Sequence, residues 1–320
     1  MASNTREIRR RIKSIGNTRK ITKAMEMVSA AKMRRAVAAV MAIRPYAHSA
    51  WSVLTNLARA TQNSESGFLV TREVKSVLII AISSNRGLCG SFNSQILRKI
   101  RQEITDPTKL KINRAGDKKI ESKISNEDLK VDFITIGKKG EATVRKLQKE
   151  IIATFPELTY MPKATDVRSV AKVATDDYLA KKYDKVAVVY TDYVSAINQQ
   201  PKIRQILPIS KLDIEKQIAE MDQAAKEYGL NEPRLEYKVE PSPEEVLDVI
   251  FPRLIEMQIY HAILESNASK ESARMVAMRN ATDAAGEMAD DLTLEYNQIR
   301  QMKITQEIAE ISAGRAALEG

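Results

Sequence analysis

The part of the sequence best suited to bind a small anion is the loop 83–93, SSNRGLCGSFN, which follows the apolar run Val77–Ile82. A strand, a tight turn and the start of a helix together offer backbone N–H groups to a phosphate. The loop matches neither glycine-rich phosphate motif, G-x-x-x-x-G-K-S/T or G-x-G-x-x-G. We therefore predict a turn that needs a positive φ at Gly87 or Gly90. Arg86 is its candidate functional side chain, because a guanidinium on a rigid turn clamps a partner carboxylate with two hydrogen bonds.

The sequence contains few of the residue patterns that catalysis or metal binding needs. One cysteine, Cys89, excludes a disulfide within the chain and a cysteine zinc site, and His48 and His261 are the two histidines. There is no nucleophile elbow, no H-E-x-x-H motif and no pair of carboxylates placed for acid–base work. We therefore predict no catalytic residue, no cofactor and no metal site, and a mechanical or interaction role rather than an enzyme.

Charge is distributed unevenly along the 320 residues, whose net charge is +10. Residues 1–60 hold 13 Lys and Arg against two acidic residues, whereas residues 243–320 hold 7 against 14 Asp and Glu. Both ends have helical spacing, so their opposite charges favour pairing of the two ends over self-pairing of the basic one. The longest apolar run, Val77–Ile82, is far short of the ~20 residues that span a bilayer, so no direct membrane insertion is expected.

The basic N-terminal end leaves other interpretations open. A basic coiled-coil protein that binds nucleic acid is the main alternative function, although Tyr46 and Trp51 are the only aromatic residues there that could stack on bases. A mitochondrial transit peptide is disfavoured because the helical pattern runs on for nearly 60 residues. The third hypothesis is a nucleotide-binding enzyme built on the middle of the chain, which lacks a phosphate motif.

The spacing of apolar residues predicts one long helix over residues 4–59, about 80 Å long at 1.5 Å per residue. Its apolar residues recur at Ile8, Ile12, Ile15, Ile21, Met25 and Val28. This series implies that the apolar stripe shifts by a few residues near Gly16. Pro45 is expected to kink the helix or end it locally. A helix of this length must lie against another long helix or protrude.

A second long helix is predicted at the C-terminal end, beginning at Ser242-Pro243 with a serine N-cap and a proline in the first turn. Pro252 is expected to break or kink its first turns, and Gly314 to cap its end. Eight positions, which we call the seam, follow one another in steps of three and four: Met275, Met278, Thr282, Ala285, Ala289, Leu292, Tyr296 and Ile299. A period of 3.5 residues predicts a left-handed coiled coil.

The middle of the chain alternates strand and helix patterns. The predicted strands are Val77–Ile82, Val131–Ile136 and Lys185–Tyr190, and the predicted helices are Asn93–Glu103, Gly140–Ile152 and Asp166–Lys182. This order implies a small parallel sheet with right-handed crossovers. The predicted fold class is therefore α/β, with the sheet domain between two long helices.

These patterns divide the chain into an N-terminal helix at 1–60, a central α/β domain at 70–240 and a C-terminal helix at 242–320. Two stretches of the central domain fit the plan poorly. Residues 105–130 are rich in Lys, Asp, Glu and Asn and are expected to form an exposed excursion. Residues 211–229 have helical spacing and are expected to form an inserted surface helix.

Several runs of sequence resemble one protein family. They include N-T-R-K-I-T-K-A-M-E-M-V at 17–28, N-R-G-L-C-G at 85–90, A-R-M-V-A-M-R-N-A-T-D at 273–283 and I-T-Q-E-I at 304–308. The runs lie at both ends and in the middle of the chain, in the family's order. On these runs the chain resembles the γ subunit of the F-type ATP synthases.

The resemblance implies a left-handed antiparallel coiled coil of the N- and C-terminal helices, with a small Rossmann-like α/β domain at its foot. It implies a central-stalk rotor that performs no ATP chemistry and transmits torque between the membrane c-ring and a ring of three α and three β subunits. The ε subunit is a further implied partner. Because the chain begins directly with the family's first helix, it resembles a bacterial member or an already processed organellar form. The expected location is the cytoplasmic face of a bacterial inner membrane, as a peripheral protein.

Matched positions imply which residues touch those partners. The implied rotor–stator contacts are Arg9, Arg10, Lys20, Lys23, Met25, Arg86, Arg274, Gln306 and Glu307. The basic N-terminal face is expected to meet acidic levers of the β subunits. The last turns, with Ala313, Ala316, Ala317 and Leu318, are expected to form a smooth bearing at the tip.

Overall fold

The computed structural model describes residues 2–60, 67–115, 118–159, 162–210 and 243–319, with side chains described from Thr5 to Ile43 in the first helix and from Glu245 to Arg315 in the last. In chain order the elements are α1 (Ala2–Ala60), β1 (Ser76–Ile82), α2 (Phe92–Thr105), α3 (Thr108–Lys111), β2 (Ile112–Ala115), β3 (Lys118–Glu121), β4 (Lys130–Ile136), α4 (Lys138–Lys146), β5 (Ile151–Thr154), a 3-10 helix (Pro156–Thr159), α5 (Ala164–Leu179), β6 (Lys185–Tyr193), β7 (Gln199–Leu207) and α6 (Pro243–Glu319). The predicted insert at 211–229 lies outside the described residues.

The chain divides into two compact units. The helical unit consists of Met1–Ala30 and Arg274–Gly320, and the α/β unit consists of Ala31–Ala273. Two long terminal helices and a central sheet domain confirm the predicted fold class. The domain boundaries drawn from the sequence stay a prediction.

A five-stranded sheet forms the centre of the α/β unit, with its strands in the order β5-β4-β1-β6-β7. β1 pairs in parallel with both β4 and β6, and β4 pairs in parallel with β5. β7 runs antiparallel to β6 at one edge. The sheet is therefore the small parallel one that was predicted, with an antiparallel edge strand added.

Helices cover both faces of the sheet. On one face, Ile79 and Phe133 of the strands share an apolar cluster with Ile96 of α2 and Val144 of α4. On the other face, Ile80 and Val188 of the strands share a cluster with Val170 of α5 and Ile259 of α6. Strands covered on both sides are rich in apolar and β-branched residues, which is why the sequence located β1, β4 and β6.

The prediction of one helix over Gly140–Ile152 is wrong. α4 spans Lys138–Lys146, and β5 follows at Ile151–Thr154. Between them Gln148 turns the chain with a φ of 52°, a conformation that glycine usually supplies at the end of a helix. Because residues 145–150 contain no glycine or proline, nothing in the pattern marks this boundary.

The stretch 105–130 is more than an exposed excursion. It contains α3 and the hairpin β2–β3, and Leu110 is fully buried. The buried ammonium of Lys185 donates hydrogen bonds to the main-chain oxygens of Lys109, Leu110 and Ile112 at 3.0, 3.2 and 2.6 Å. A charge away from water needs such acceptors. The prediction of exposure is therefore wrong for α3, because a lysine distant in the sequence anchors it to the sheet.

Both long helices run through their prolines. α1 continues past Pro45 to Ala60, and α6 continues past Pro252 and Gly314 to Glu319. The helices therefore do not end or break at these prolines, and Gly314 is not a C-cap. In α6, Phe251 and other apolar residues on both sides of the proline are buried in the α/β core. This packing outweighs the ~3 kcal/mol that a proline costs inside a helix.

In the helical unit, α1 and α6 lie antiparallel. The hydroxyl of Thr282 donates a hydrogen bond to that of Thr22 at 2.8 Å, and the guanidinium of Arg19 lies beside Gly286. Residue numbers therefore rise along one helix as they fall along the other. All eight predicted seam positions of α6 are buried or half-buried, which confirms the predicted seam.

The predicted shift of the apolar stripe near Gly16 is wrong. The inward positions of α1 continue in steps of seven: Ile8, Ile15, Thr22 and Ser29. Ile21 and Val28, which the shift would turn inward, are 60% and 54% exposed. Thr22 tolerates its buried place because its hydroxyl also donates to the main-chain oxygen of Arg19 at 3.0 Å.

Gly286→Ala is expected to stabilise the helical unit by about 0.5–1 kcal/mol, because alanine lowers the conformational entropy of the unfolded chain. A Cβ at Gly286 would meet the Arg19 side chain at 3.4 Å, an ordinary contact. Gly16→Ala is the matched control, since a Cβ there meets no described atom within 4 Å. Thermal unfolding of both variants is followed by circular dichroism. A lower midpoint for Gly286→Ala beside a higher one for Gly16→Ala would show that the crossing requires glycine.

Candidate functional site

The basic residues predicted to contact a partner lie on the side of α1 that faces away from the seam. Arg9, Arg10 and Lys20 are exposed. Lys23 is also exposed and pairs with Glu26 of the same helix at 2.9 Å. Surface ion pairs of this kind contribute ~0–1 kcal/mol, so a partner's carboxylate competes with Glu26 at little cost. The structure therefore presents all four cations to the outside.

Sequence reasoning missed the apolar side chains among these cations. Ile21, Met27 and Val28 are exposed on α1, and Met25 is half-buried. The pattern placed Ile21 and Val28 in the inward stripe because they are apolar, whereas the seven-residue steps from Ile8 place them outside. Exposed apolar residues set among basic ones are typical of a protein interface.

The C-terminal half of the helical unit has a similar outer surface. Gln306 and Glu307 are exposed, and the Gln306 amide donates a hydrogen bond to Glu310 at 2.9 Å. Arg274 is half-buried. Apolar residues are exposed around them on α6: Met288, Leu294, Met302, Ile304, Ile308 and Ile311. Of the predicted bearing tip, Ala313 is exposed, and the side chains of Ala316, Ala317 and Leu318 lie outside the described ones.

The loop after β1 holds Arg86 on a rigid turn, as the sequence predicted. The Ser84 hydroxyl donates to the main-chain oxygen of Arg86 at 2.6 Å, while the Arg86 side chain is exposed. The Asn85 amide donates to the main-chain oxygen of Pro156 at 2.8 Å and its carbonyl accepts from the Lys138 N–H at 3.0 Å. These bonds fix the loop to the 3-10 helix and to the start of α4.

The positive φ predicted for this loop is found at Gly90, with a value of 53°. Leu88 also has a positive φ, 61°, which is uncommon for a residue other than glycine. Cys89 is buried in a small cluster with Phe92 and Ala273 of α6. The loop therefore packs against the C-terminal helix at the carboxyl end of β1.

Helix α6 fills the place where a doubly wound sheet usually binds a ligand. Such sheets bind ligands beyond the carboxyl ends of the strands, where the strand order reverses, which here lies between β1 and β6. At the end of β6 the Thr191 N–H donates to the Ser266 hydroxyl at 3.1 Å, and the Ser269 hydroxyl donates to the Thr191 oxygen at 3.3 Å. This chain's own helix α6 therefore occupies the crevice in which a nucleotide would bind, which weakens the hypothesis of a nucleotide-binding enzyme.

A group of titratable residues lies where α6 meets the β6–β7 hairpin. The pKa of Glu265 is raised to about 8, first by burial and then by the neighbouring Asp192, against the opposite effects of Arg204 and Lys202. Asp192 forms an ion pair with Lys202. His261 Nδ1 lies 3.6 Å from the Glu265 carboxyl. Glu265 is therefore mostly protonated at neutral pH, which avoids a second buried negative charge beside Asp192.

Comparison with known proteins assigns the chain to a family. The family model described as ATP synthase matches residues 4–318. The ATP synthase gamma chain of Roseiflexus castenholzii is 40% identical over 317 residues, covering 98% of each chain, and that of Legionella pneumophila is 35% identical over 316 residues, covering 99% of this chain and 100% of the relative. The chain is thus an ATP synthase subunit built from two long terminal helices and a central α/β domain. The chain belongs to the ATP synthase gamma-chain family.

Solved structures share the fold at lower identity. A chain from the mitochondrial ATP synthase of Euglena gracilis (OSCP/F1/c-ring) has a TM-score of 0.63 at 17% identity, covering 99% of this chain and 95% of that one. A chain from the central stalk/c-ring of the Tetrahymena thermophila enzyme has a TM-score of 0.55 at 23% identity, covering 82% and 99%. Within the described parts of the chain, no helix combines the length and apolar character needed to cross a membrane.

Glu265→Gln is expected to remove a pH dependence of stability. The folded carboxyl, with a pKa of about 8 against an ordinary 4.5, binds a proton that the unfolded chain has released, so stability falls as pH rises from about 5 to about 8. A neutral amide does not titrate. Melting midpoints of wild type and variant between pH 5 and 9 measure the difference, with exposed Glu127→Gln as the control. Parallel curves for wild type and Glu265→Gln would contradict this assignment.

Proposed function

We propose that this chain is the central-stalk rotor of an ATP synthase, transmitting torque between a membrane c-ring and a catalytic α/β hexamer. The observation that supports this most is the match to gamma chains over nearly the whole length of both proteins. The antiparallel pair α1–α6, with polar and apolar side chains exposed on its outside, is the shape and surface that such a shaft requires. None of the relatives named above is a nucleic-acid-binding protein, so the alternative of a nucleic-acid-binding coiled coil gains no support.

The chain itself is non-catalytic in this proposal. Its partners are three α and three β subunits, the ε subunit and the c-ring, and it lies at the cytoplasmic face of a bacterial inner membrane as a peripheral protein. The structural neighbours support the choice of partners, since the Euglena chain comes from an assembly of OSCP, F1 and c-ring and the Tetrahymena chain from a central stalk with its c-ring. The shaft comprises residues 1–60 and 242–320, and the foot comprises residues 70–240.

The mechanism is allosteric, because the shaft meets each β subunit with a different side. The N-terminal 60 residues carry an excess of basic residues and the last 78 an excess of acidic ones. A ligand shifts a conformational equilibrium only through a difference in its contacts with the two states. Rotation of an asymmetric shaft therefore changes the nucleotide affinity of each β subunit in turn, and the coupling is reciprocal, so ATP hydrolysis drives the shaft backwards.

The contact residues in this proposal are the matched polar positions together with Met25. They are Arg9, Arg10, Lys20, Lys23, Met25, Arg86, Arg274, Gln306 and Glu307, and the tip residues Ala313, Ala316, Ala317 and Leu318 form the bearing. Exposure of the four N-terminal cations and of Arg86, Gln306 and Glu307 supports their part in it. The exposed Ile21, Met27 and Val28 extend the same surface.

Reconstitution with purified α and β subunits of a close relative tests the function. ATP hydrolysis is measured with and without this chain, and the mixture is analysed by size-exclusion chromatography. We expect the chain to co-elute at one copy per hexamer and to switch on multisite turnover. A chain that stays apart from competent partners and leaves their activity unchanged would contradict the proposal.

Lys20→Glu combined with Lys23→Glu is expected to lower the activation of hydrolysis at least threefold, because like charges then face the acidic levers. Arg101→Glu combined with Lys172→Glu makes the same change of charge on exposed faces of α2 and α5 and serves as the control. Hydrolysis is measured at several salt concentrations, since screening weakens such contacts. Equal losses of activation in the two double variants would show that the effect comes from net charge. Lys20 and Lys23 would then not be contact residues.

A further inference from the structure

A band of buried polar side chains joins α6 to the α/β unit. Ser266, Ser269, Lys270 and Ser272 are all buried, although serine and lysine usually lie at the surface. They occupy two turns of the helix that are surrounded by protein on every side, since all residues from Ala262 to Ala273 are buried. Buried polar groups are retained only where they are hydrogen-bonded.

The three serines bond to the main chain of one hairpin. Ser266 accepts from the Thr191 N–H at 3.1 Å, and Ser269 donates to the Thr191 oxygen at 3.3 Å. Ser272 donates to the oxygen of Ala196, at the turn between β6 and β7, at 2.6 Å. Their spacing of three residues keeps successive hydroxyls on neighbouring parts of one helix face. The hydroxyls of α6 thus form hydrogen bonds with main-chain groups at the end of β6 and in the turn that follows it.

Lys270 connects the same two turns to a second element. Its ammonium donates to the main-chain oxygen of Thr159 in the 3-10 helix at 2.5 Å and to the side-chain oxygen of Asn267 at 2.6 Å. Thr159 in turn accepts at its hydroxyl from the Asn85 amide at 2.8 Å. The band therefore links α6 to both sides of the point where the strand order reverses.

Apolar packing and hydrogen bonds resist different movements. Burial of Ile255, Ile259 and Ile263 holds α6 onto the sheet through close packing, although the hydrophobic effect itself has no direction. Hydrogen bonds weaken steeply when donor and acceptor lose their alignment. A serine side chain is short, with one rotatable bond before its oxygen. Its hydroxyl therefore cannot follow a main-chain partner when the helix turns about its own axis, and the hydrogen bond is lost.

We propose that the hydrogen-bonded band of Ser266, Ser269, Ser272 and Lys270 is the joint that fixes α6 against turning inside the α/β unit, so that turning force passes between this helix and the sheet. This inference rests on the proposed rotor function and names the residues that hold the helix against the end of β6. It assigns a mechanical role to side chains that are buried and bind no partner subunit.

The test uses the complete ATP synthase assembled with this chain in inverted membrane vesicles. The variant Ser266→Ala, Ser269→Ala and Ser272→Ala removes three hydroxyls of the joint. The control variant Ser94→Ala and Ser169→Ala removes exposed hydroxyls that bond to main-chain oxygens of their own helices. ATP hydrolysis and ATP-driven uptake of the coupling ion are measured in the same vesicles.

We expect the triple variant to hydrolyse ATP within twofold of wild type but to take up at least threefold less ion per ATP, because the helix slips against the α/β unit. The control variant keeps the wild-type ratio. If the triple variant does not assemble, the single variants Ser269→Ala and Ser272→Ala are measured instead. Each is expected to lower the ratio of ion uptake to ATP hydrolysis partially.

An unchanged ratio of ion uptake to hydrolysis in the triple variant, or in both single variants, would overturn the proposal. A loss of hydrolysis and uptake in equal proportion would also overturn it, since that result indicates a merely structural role. Failure of the wild-type chain to support any ATP-driven uptake would instead contradict the proposed rotor function, so the two failures are distinguishable.

Discussion

Helix α6 has to be buried on every side where it crosses the α/β unit, and much of the structure follows from that constraint. In the stretch that protein surrounds on every side, residues 262–273, apolar residues such as Ile263 and Leu264 lie beside buried serines and charged residues. The helix also has to pass the carboxyl ends of β1 and β6, where main-chain groups would lack partners. The buried serines meet that need, and Glu265 remains in place because it is mostly uncharged at neutral pH.

In the helical unit, each helix buries only one stripe of residues against the other helix. The stripe is built from small and polar residues as much as from large apolar ones, with Thr22 and Thr282 bonded to each other at its centre. Small side chains let two helices approach closely, and a hydroxyl that bonds a helix carbonyl is satisfied without water. Large apolar residues such as Ile21 and Val28 lie instead on the outside, where the second helix does not cover them.

Residue types decide which parts of this structure the sequence predicts. β1, β4 and β6 are predictable because short runs rich in apolar and β-branched residues indicate strands covered on both faces. The seam of α6 is predictable because its spacing is regular from Met275 to Ile299. The inward stripe of α1 is not, because Thr22 and Ser29 interrupt the apolar pattern while Ile21 and Val28 imitate it. For the candidate contact surface, basic charge predicts which residues of α1 are exposed, and their contacts with a partner stay a prediction. The joint on α6 depends on contacts distant in the sequence that no local pattern records.

The α/β unit uses a nucleotide-binding topology for attachment rather than for binding a ligand. The loop after β1 and the end of β6, which would hold a phosphate in such a fold, instead hold this chain's own C-terminal helix. Because the loop after β1 packs against α6, it has a fixed, hydrogen-bonded shape although it lacks a phosphate-binding motif.

Direct observation of rotation tests the central claim most simply. A small particle is fixed to a cysteine introduced at exposed Glu127 of the α/β unit, and the chain is assembled with a surface-bound α/β hexamer. The rotor account predicts that ATP turns the particle in one direction, in steps of about one third of a turn, because the hexamer has three catalytic sites. Steady ATP hydrolysis with a stationary particle in the assembled complex would contradict the account.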